Sequence, residues 1–315
     1  MDGDQDDKGA LAVKFRRLGR TELNVSVVGI GAWQFGGDWG KTFTQAEVDA
    51  ILDQAEELGI NLIDTAECYG PDHRSERLIG DYLKRRQSRS RWIVATKFGH
   101  VYQDPVRAAE PAWSAQKVLE QLEASLRALQ TDHVDLYQFH SGRDEFFDND
   151  ELWTALDGVV RAAKARNLGI SIGSNDNLHQ TDAATRVNAR AIQVVYNRLD
   201  PTAERRVLPS CQRQDLGVLA RVPLASGYLS GKYAPGATFP DNDVRSRRDR
   251  DQEEAKLRQV EEIRRTEVPP GVNMAQWALA WCLAHPAVTC VIPGCKDPDQ
   301  VKVNAAAADL ELAPR

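Results

Sequence analysis

The sequence predicts a (β/α)8 barrel, a parallel α/β fold closed on itself. Three observations carry this. Eight short runs are apolar almost throughout, as in strands buried on both faces. Stretches of helical period lie between them. Ionisable residues stand at strand ends, which a parallel barrel gathers on one rim. The runs are residues 27–31, 61–65, 92–97, 134–140, 169–174, 191–196, 218–222 and 290–293. The competitor is an open, doubly wound sheet. The first strand–helix junction, Gly29-Ile30-Gly31-Ala32-Trp33-Gln34-Phe35-Gly36, speaks against it, because the third glycine of a dinucleotide fingerprint is missing at its spacing.

The elements follow in order. Residues 14–23 read as a strand and turn, a hairpin that closes the bottom of the barrel. Residues 44–58 place Val48, Ile51, Leu52, Ala55 and Leu58 on one helical face, and Thr44 with Glu47 has the capping-box spacing. Residues 114–129 repeat the pattern with Val118, Leu122, Ser125, Leu126 and Leu129, behind Ser114 as N-cap. Further helices are expected over 151–165, 178–187, 203–214, 252–264 and 274–284. Gly59, Gly169 and Gly217 precede strands, where a left-handed cap or turn uses them. The longest irregular piece, 234–250, follows a strand and belongs on the rim where barrel enzymes keep their chemistry.

Length and charge bound the function. A chain of 315 residues is ample for one large core, here residues 14–315. The net charge of −6 excludes a surface that coats nucleic acid and a polybasic membrane anchor. Residues 1–7 hold four aspartates and no cation, so residues 1–13 read as a solvated, disordered acidic tail. No apolar run has the ~20 residues that span a bilayer, and no secretory signal is visible. Five cysteines, an odd number without a C-x-x-C pair, suit a reduced, cytoplasmic protein and give no metal-ligand spacing. The oligomeric expectation is a monomer or a weak homo-oligomer.

Four polar residues punctuate the apolar runs: Asp64 in Leu62-Ile63-Asp64-Thr65, Tyr69 just after it, Lys97 and His140. Singly, each reads as a cap, a loop brace or a solvated rim residue. Together they describe a tuned proton donor. A phenol has a pKa near ~10 and is a poor acid at neutral pH. A neighbouring ammonium stabilises the phenolate and lowers that pKa. Asp64 would hold Lys97 charged, and His140 would orient a substrate oxygen. Such a donor suits protonation of the alkoxide formed when hydride reaches a carbonyl carbon, with the hydride supplied by a cofactor.

These residues carry a resemblance. Asp64-Thr65-Ala66-Glu67-Cys68-Tyr69-Gly70 is similar to the D-T-A-x-x-Y-G signature of the aldo-keto reductases, and the likeness runs from Phe15 to about Asp309. It implies a (β/α)8 barrel that binds NADP(H) across its rim, with Asp64, Tyr69, Lys97 and His140 catalytic. It also implies cofactor contacts. Ala32 and Trp33 would touch the nicotinamide ribose, with Asp64 beneath. Ser174, Asn175 and Gln193 would hold the carboxamide. The segment Val222-Pro223-Leu224-Ala225-Ser226-Gly227, with Lys232, would wrap the pyrophosphate. Gly294, Lys296, Gln300 and Asn304 would form the adenosine phosphate site, Lys296 favouring the 2′-phosphate. Arg245 would close over the cofactor.

Two positions depart from the family pattern. Val303 stands where relatives often have an acid. Arg221 stands where most have an aromatic residue stacked on the nicotinamide, and a guanidinium can stack there instead. Trp33, Phe98 and Trp113 are expected to wall the substrate pocket, with Trp39, Tyr102 and Phe146 nearby and a polar third loop over 99–111. The implied function is NADPH-dependent reduction of an aldehyde or ketone. The alternatives are dehydrogenation of a secondary alcohol, sugar or cyclitol, and a non-catalytic, cofactor-sensing subunit. The implied partner is a small carbonyl or alcohol substrate.

Overall fold

The computed structural model describes residues 13–102 and 112–312. Most of the expected acidic tail and of the loop at 99–111 therefore lies outside the described residues. Val13, placed in the tail by the sequence reading, is buried, and its N–H donates to Leu58 O.

A two-stranded antiparallel hairpin opens the fold, β1 (Phe15–Arg17) against β2 (Asn24–Ser26). Eight parallel strands follow: β3 (Ile30–Gly31), β4 (Leu62–Asp64), β5 (Ile93–Phe98), β6 (Leu136–His140), β7 (Leu168–Ser171), β8 (Ala189–Val195), β9 (Gly217–Arg221) and β10 (Cys290–Val291). They lie side by side in chain order. Parallel bridges Val28–Val291 and Gly31–Gly294 join the last strand to the first and close the sheet. The barrel and its hairpin are as the sequence predicts.

The helices are α1 (Gln45–Glu57), α2 (Arg74–Arg86), α3 (Ala115–Leu129), α4 (Asp144–Phe147), α5 (Asp150–Arg161), α6 (Leu178–Asp182), α7 (Val207–Arg213), α8 (Arg250–Thr266), α9 (Met274–Leu283) and α10 (Pro298–Ala305). Both halves of the Thr44–Glu47 capping box form at α1, and Ser114 caps α3 through Lys117 N. Three of these helices, α2, α4 and α10, were not expected.

Alternation along each strand sorts the side chains into two cores. Ile63, Val94, Tyr137, Ile170, Ile192, Val218 and Val291 pack outward under the helices. Leu62, Ala95, Leu136, Ala191, Leu219 and Cys290 point inward and form a separate apolar cluster around Leu18. Leu18 comes from the hairpin turn and plugs the barrel bottom. Gly217 makes room for it, since a Cβ there would lie 2.5 Å from the Leu18 side chain. Burying one leucine stabilises by about 2 kcal/mol. The plug fills that end of the barrel.

Candidate active site

One step of two residues toward the C-terminal rim turns the barrel interior from apolar to polar. Asp64 stands above Leu62, Lys97 above Ala95, Gln138 above Leu136, Gln193 above Ala191 and Arg221 above Leu219. Asp64 organises this layer. Its Oδ2 accepts from Lys97 Nζ at 2.7 Å, and its Oδ1 accepts from Gln138 Nε2 at 3.0 Å and Gln193 Nε2 at 2.8 Å. Lys97 uses its other two donors on Thr65 O at 2.8 Å and Tyr69 Oη at 3.0 Å. The ammonium has three donors, so its position is over-determined.

The turn carrying Tyr69 is fixed by backbone contact. Gly70 has φ +85°, and a Cβ on it would lie 2.5 Å from Gly36 O. The first loop thus presses directly on the tyrosine turn, and the Trp33 ring stacks 5.9 Å from the Tyr69 ring. The His140 ring lies edge-on to Tyr69 at 5.9 Å and to His100 at 5.0 Å. Cys68 Sγ is 3.7 Å from His140 Nδ1.

Protonation follows from burial and charge. Burial pulls Lys97 down, but Asp64 and Tyr69 outweigh it, and the ammonium persists above its ordinary range. Tyr69 corrects the sequence expectation. Lys97 does favour the phenolate, yet burial is the larger effect and Asp64 opposes ionisation, so the phenol titrates above its ordinary value. It keeps its proton until an acceptor arrives. His140 is pushed well below the usual range by burial, then by Lys97, His100 and Arg221, and is neutral.

A cavity of about 920 Å³ covers this rim. Asp64, Tyr69 and His140 line it at one end, while Lys296, Gln300 and Asn304 line it at the other. Ala32, Trp33, Gln193, Arg221, Val222, Pro223, Leu224, Ser226, Gly227, Lys232, Arg245 and Gly294 also face it. The geometry leaves several expected residues outside. Asn175 Nδ2 donates to Asp200 Oδ2 at 2.6 Å, Ser174 is hydrogen-bonded to Asp176, and neither lines the cavity. Strand β7 ends at Ser171, so these two ride a turn beyond the rim. Ala225 is set back behind its neighbours. Phe98 and Trp113 are buried in an aromatic cluster with Phe139, under the wall rather than in it. Trp39, Tyr102, His100 and Cys68 also line the cavity.

Arg221 turns neither to solvent nor to a carboxylate. Its Nη2 donates to Ile172 O at 3.1 Å, and its buried Nε has no partner. Arg245 is fully engaged. It holds Asp243 through Nε at 2.9 Å and Nη2 at 2.7 Å, donates to Ser226 O, and lies 3.9 Å over the Phe239 ring. It therefore pins the loop at 234–250 to the 222–227 turn. That turn has left-handed φ at Val222, Ala225, Ser226 and Gly227. A β-branched residue is strained there by about 1–3 kcal/mol, and Asn197 Nδ2 holds it through Val222 O.

Among the described residues no group of three His, Cys, Asp or Glu could hold a metal ion, and no helix is long and apolar enough to cross a membrane. The cavity does suit a phosphorylated cofactor. Lys296 is drawn down first by burial and then by Arg245, with Lys232 and Lys41 adding to it and only Asp243 opposing. Cations crowded against one another at a cavity wall call for an anion.

A closed parallel barrel with a carboxylate, ammonium and phenol chained at its C-terminal rim defines an oxidoreductase of the barrel class. A sequence model of the Aldo/keto reductase family matches residues 27–315, and the chain belongs to that family. It is 33% identical over 310 residues to the uncharacterized oxidoreductase YrpG of Bacillus subtilis, covering 95% of this chain and 92% of the relative. It is 29% identical to a protein of Oryza sativa subsp. japonica named "Probable voltage-gated potassium channel subunit beta", covering 95% and 92%. The structure is similar to that of aldo-keto reductase AKR11C1 from Bacillus halodurans (holo form), with TM-score 0.77, 31% identity and coverage of 95% and 92%.

Proposed function

We propose that this protein is an NADPH-dependent carbonyl reductase of the cytoplasm with Tyr69 as general acid. The observation that carries the reading is the Lys97 ammonium shared between Asp64 Oδ2 and Tyr69 Oη. When bound, a reduced nicotinamide supplies hydride to the carbonyl carbon. The protein's residues do the rest. His140 is neutral and holds the carbonyl oxygen near Tyr69. Tyr69 Oη transfers its proton to the oxygen as negative charge develops there. Lys97, kept charged by Asp64, stabilises the phenolate that remains. In the reverse direction the same phenolate removes a proton from an alcohol.

Trp33, Arg221 and Gln193 would flank the nicotinamide end of the cofactor. The 222–227 turn and Lys232 would hold the pyrophosphate, and Lys296, Gln300 and Asn304 the adenosine phosphate. Free thiols at Cys68, Cys211, Cys282, Cys290 and Cys295 agree with a reducing compartment.

Replacement of Tyr69 by phenylalanine tests the reading. With 4-nitrobenzaldehyde and NADPH, kcat falls by about 10² or more while NADPH binding by fluorescence persists. Full turnover in Tyr69→Phe would overturn the assignment. A second reading, a cofactor-sensing subunit, is favoured by the likeness to the rice protein. It predicts NADPH binding without turnover in the wild type. The complete set of four catalytic side chains speaks for turnover.

A further inference from the structure

Cys68 sits between the signature's acid and its tyrosine, lines the cavity, and has no part in the proton donor described above. Its side-chain hydrogen-bond contact is with the imidazole at the end of β6. Sγ lies 3.7 Å from His140 Nδ1, within the range of a sulfur hydrogen bond. A neutral imidazole has one N–H and one bare nitrogen. Which nitrogen carries the proton is decided by what the other one meets. Where a thiol donates to Nδ1, Nδ1 is the acceptor and Nε2 carries the hydrogen.

We infer that Cys68 is a positioning residue: its S–H donates to His140 Nδ1 and fixes the tautomer that offers Nε2–H to the substrate oxygen. This rests on the proposed role of His140 in holding that oxygen. The protonation states of both groups agree. Burial pushes the Cys68 thiol up to about 12, and the nearby Lys97 does not offset it, so sulfur is a donor throughout the physiological range. His140 is neutral beside Lys97, His100 and Arg221, so it can accept at one nitrogen. The His100 ring is edge-on to His140 and bonds its backbone rather than its ring, leaving the ring nitrogens to Cys68 and to the substrate. The same chemistry argues against Cys68 as a nucleophile, since a thiol is far less reactive than a thiolate.

The experiment is nitrogen NMR on the protein labelled with 15N-histidine, in wild type, Cys68→Ala and Cys68→Ser, with kcat measured in parallel on 4-nitrobenzaldehyde. The wild type shows His140 as a single neutral tautomer protonated at Nε2. In Cys68→Ala the two nitrogen shifts move toward a mixture, and kcat falls about three- to tenfold with NADPH affinity unchanged. Cys68→Ser, whose hydroxyl also donates, restores both. Protonation at Nδ1 in the wild type would overturn the inference. So would a loss of kcat in Cys68→Ala without a change of tautomer, which is a packing effect, or a change of tautomer without a loss of kcat. If the wild type binds no NADPH and reduces no aldehyde, the proposed function fails. The nitrogen shifts still decide whether the thiol bonds the ring.

Discussion

At the scale of single residues, Arg221 sets this site apart from a family pattern that places an aromatic ring there. The guanidinium is largely buried and faces the cavity, tethered by one bond to Ile172 O. Burial lowers its pKa, while Tyr69 and Asp64 support its charge. An oxidised nicotinamide is cationic and a reduced one is neutral. A fixed cation about 4 Å from the ring opposes the oxidised form by roughly 1–4 kcal/mol. The ratio of NADP⁺ to NADPH dissociation constants is therefore expected to be at least about fivefold larger in the wild type than in Arg221→Trp, by fluorescence titration. Equal ratios would show that the charge does not act on the ring. Arg221, Asp64, Lys97 and His140 were legible in the sequence because each is a polar residue in or at the end of an apolar run, and Tyr69 because it closes the D-T-A-x-x-Y-G stretch. Gln138 was equally visible, two residues from both Leu136 and His140. A uniformly apolar strand pattern hides it, because only alternation separates inward from outward positions. Ser174 and Asn175 lie beyond the strand for a related reason: it ends at Ser171, three residues before the apolar run does.

At the scale of elements, the strands and the longer helices were legible, charge-rich α8 included, but α2 was not. Helix α2 reads Arg-Ser-Glu-Arg-Leu-Ile-Gly-Asp-Tyr-Leu-Lys-Arg-Arg, and its apolar face is only Leu78, Ile79, Tyr82 and Leu83. Its first turn carries an acid–imidazole cluster behind the tyrosine turn. Glu76 is buried, accepts from Thr96 Oγ1 at 2.6 Å, and pairs with His73 Nδ1 at 2.8 Å. Glu67 lies beside it with Oε2 buried and unpartnered. Glu67 is raised to about 8, chiefly by burial, with His73 opposing and Glu76 adding to the rise. In an unfolded chain the same carboxyl titrates near ~4.3. The folded protein therefore binds more protons between those values, and stability falls as pH rises from about 4.3 to about 8. His73 is raised by its bond to Glu76, so its contribution is also lost on the alkaline side. Melting temperature is expected to decline from pH 6 to pH 8.5, and Glu67→Gln to flatten much of that decline, leaving the part due to His73. An unchanged slope in the variant would mean that Glu67 is ionised in the folded state.

At the scale of the whole molecule, net charge and site charge have opposite signs. The chain carries −6, four units of which lie in the first seven residues. Yet the far end of the cavity gathers Lys296, Arg245, Lys232 and Lys41. Arg245 is neutralised by Asp243, and Lys41 is paired with Glu47 at 3.0 Å. Lys296 donates only to a neutral group, Trp39 O, at 2.6 Å. Like Lys232, it makes no ion pair among the described residues, so a ligand phosphate would meet both charges without a paired carboxylate. Between about 0.05 and about 0.5 M salt the Debye length shrinks from about 14 to about 4 Å. A 2′-phosphate seated near Lys296 makes NADPH affinity fall more steeply over that range than NADH affinity. Lys296→Gln is expected to weaken NADPH by about tenfold or more, to leave NADH nearly unchanged, and to bring the two salt slopes together. Identical slopes for NADPH and NADH in the wild type would mean that the protein does not read the 2′-phosphate, and that the cation cluster serves the pyrophosphate alone.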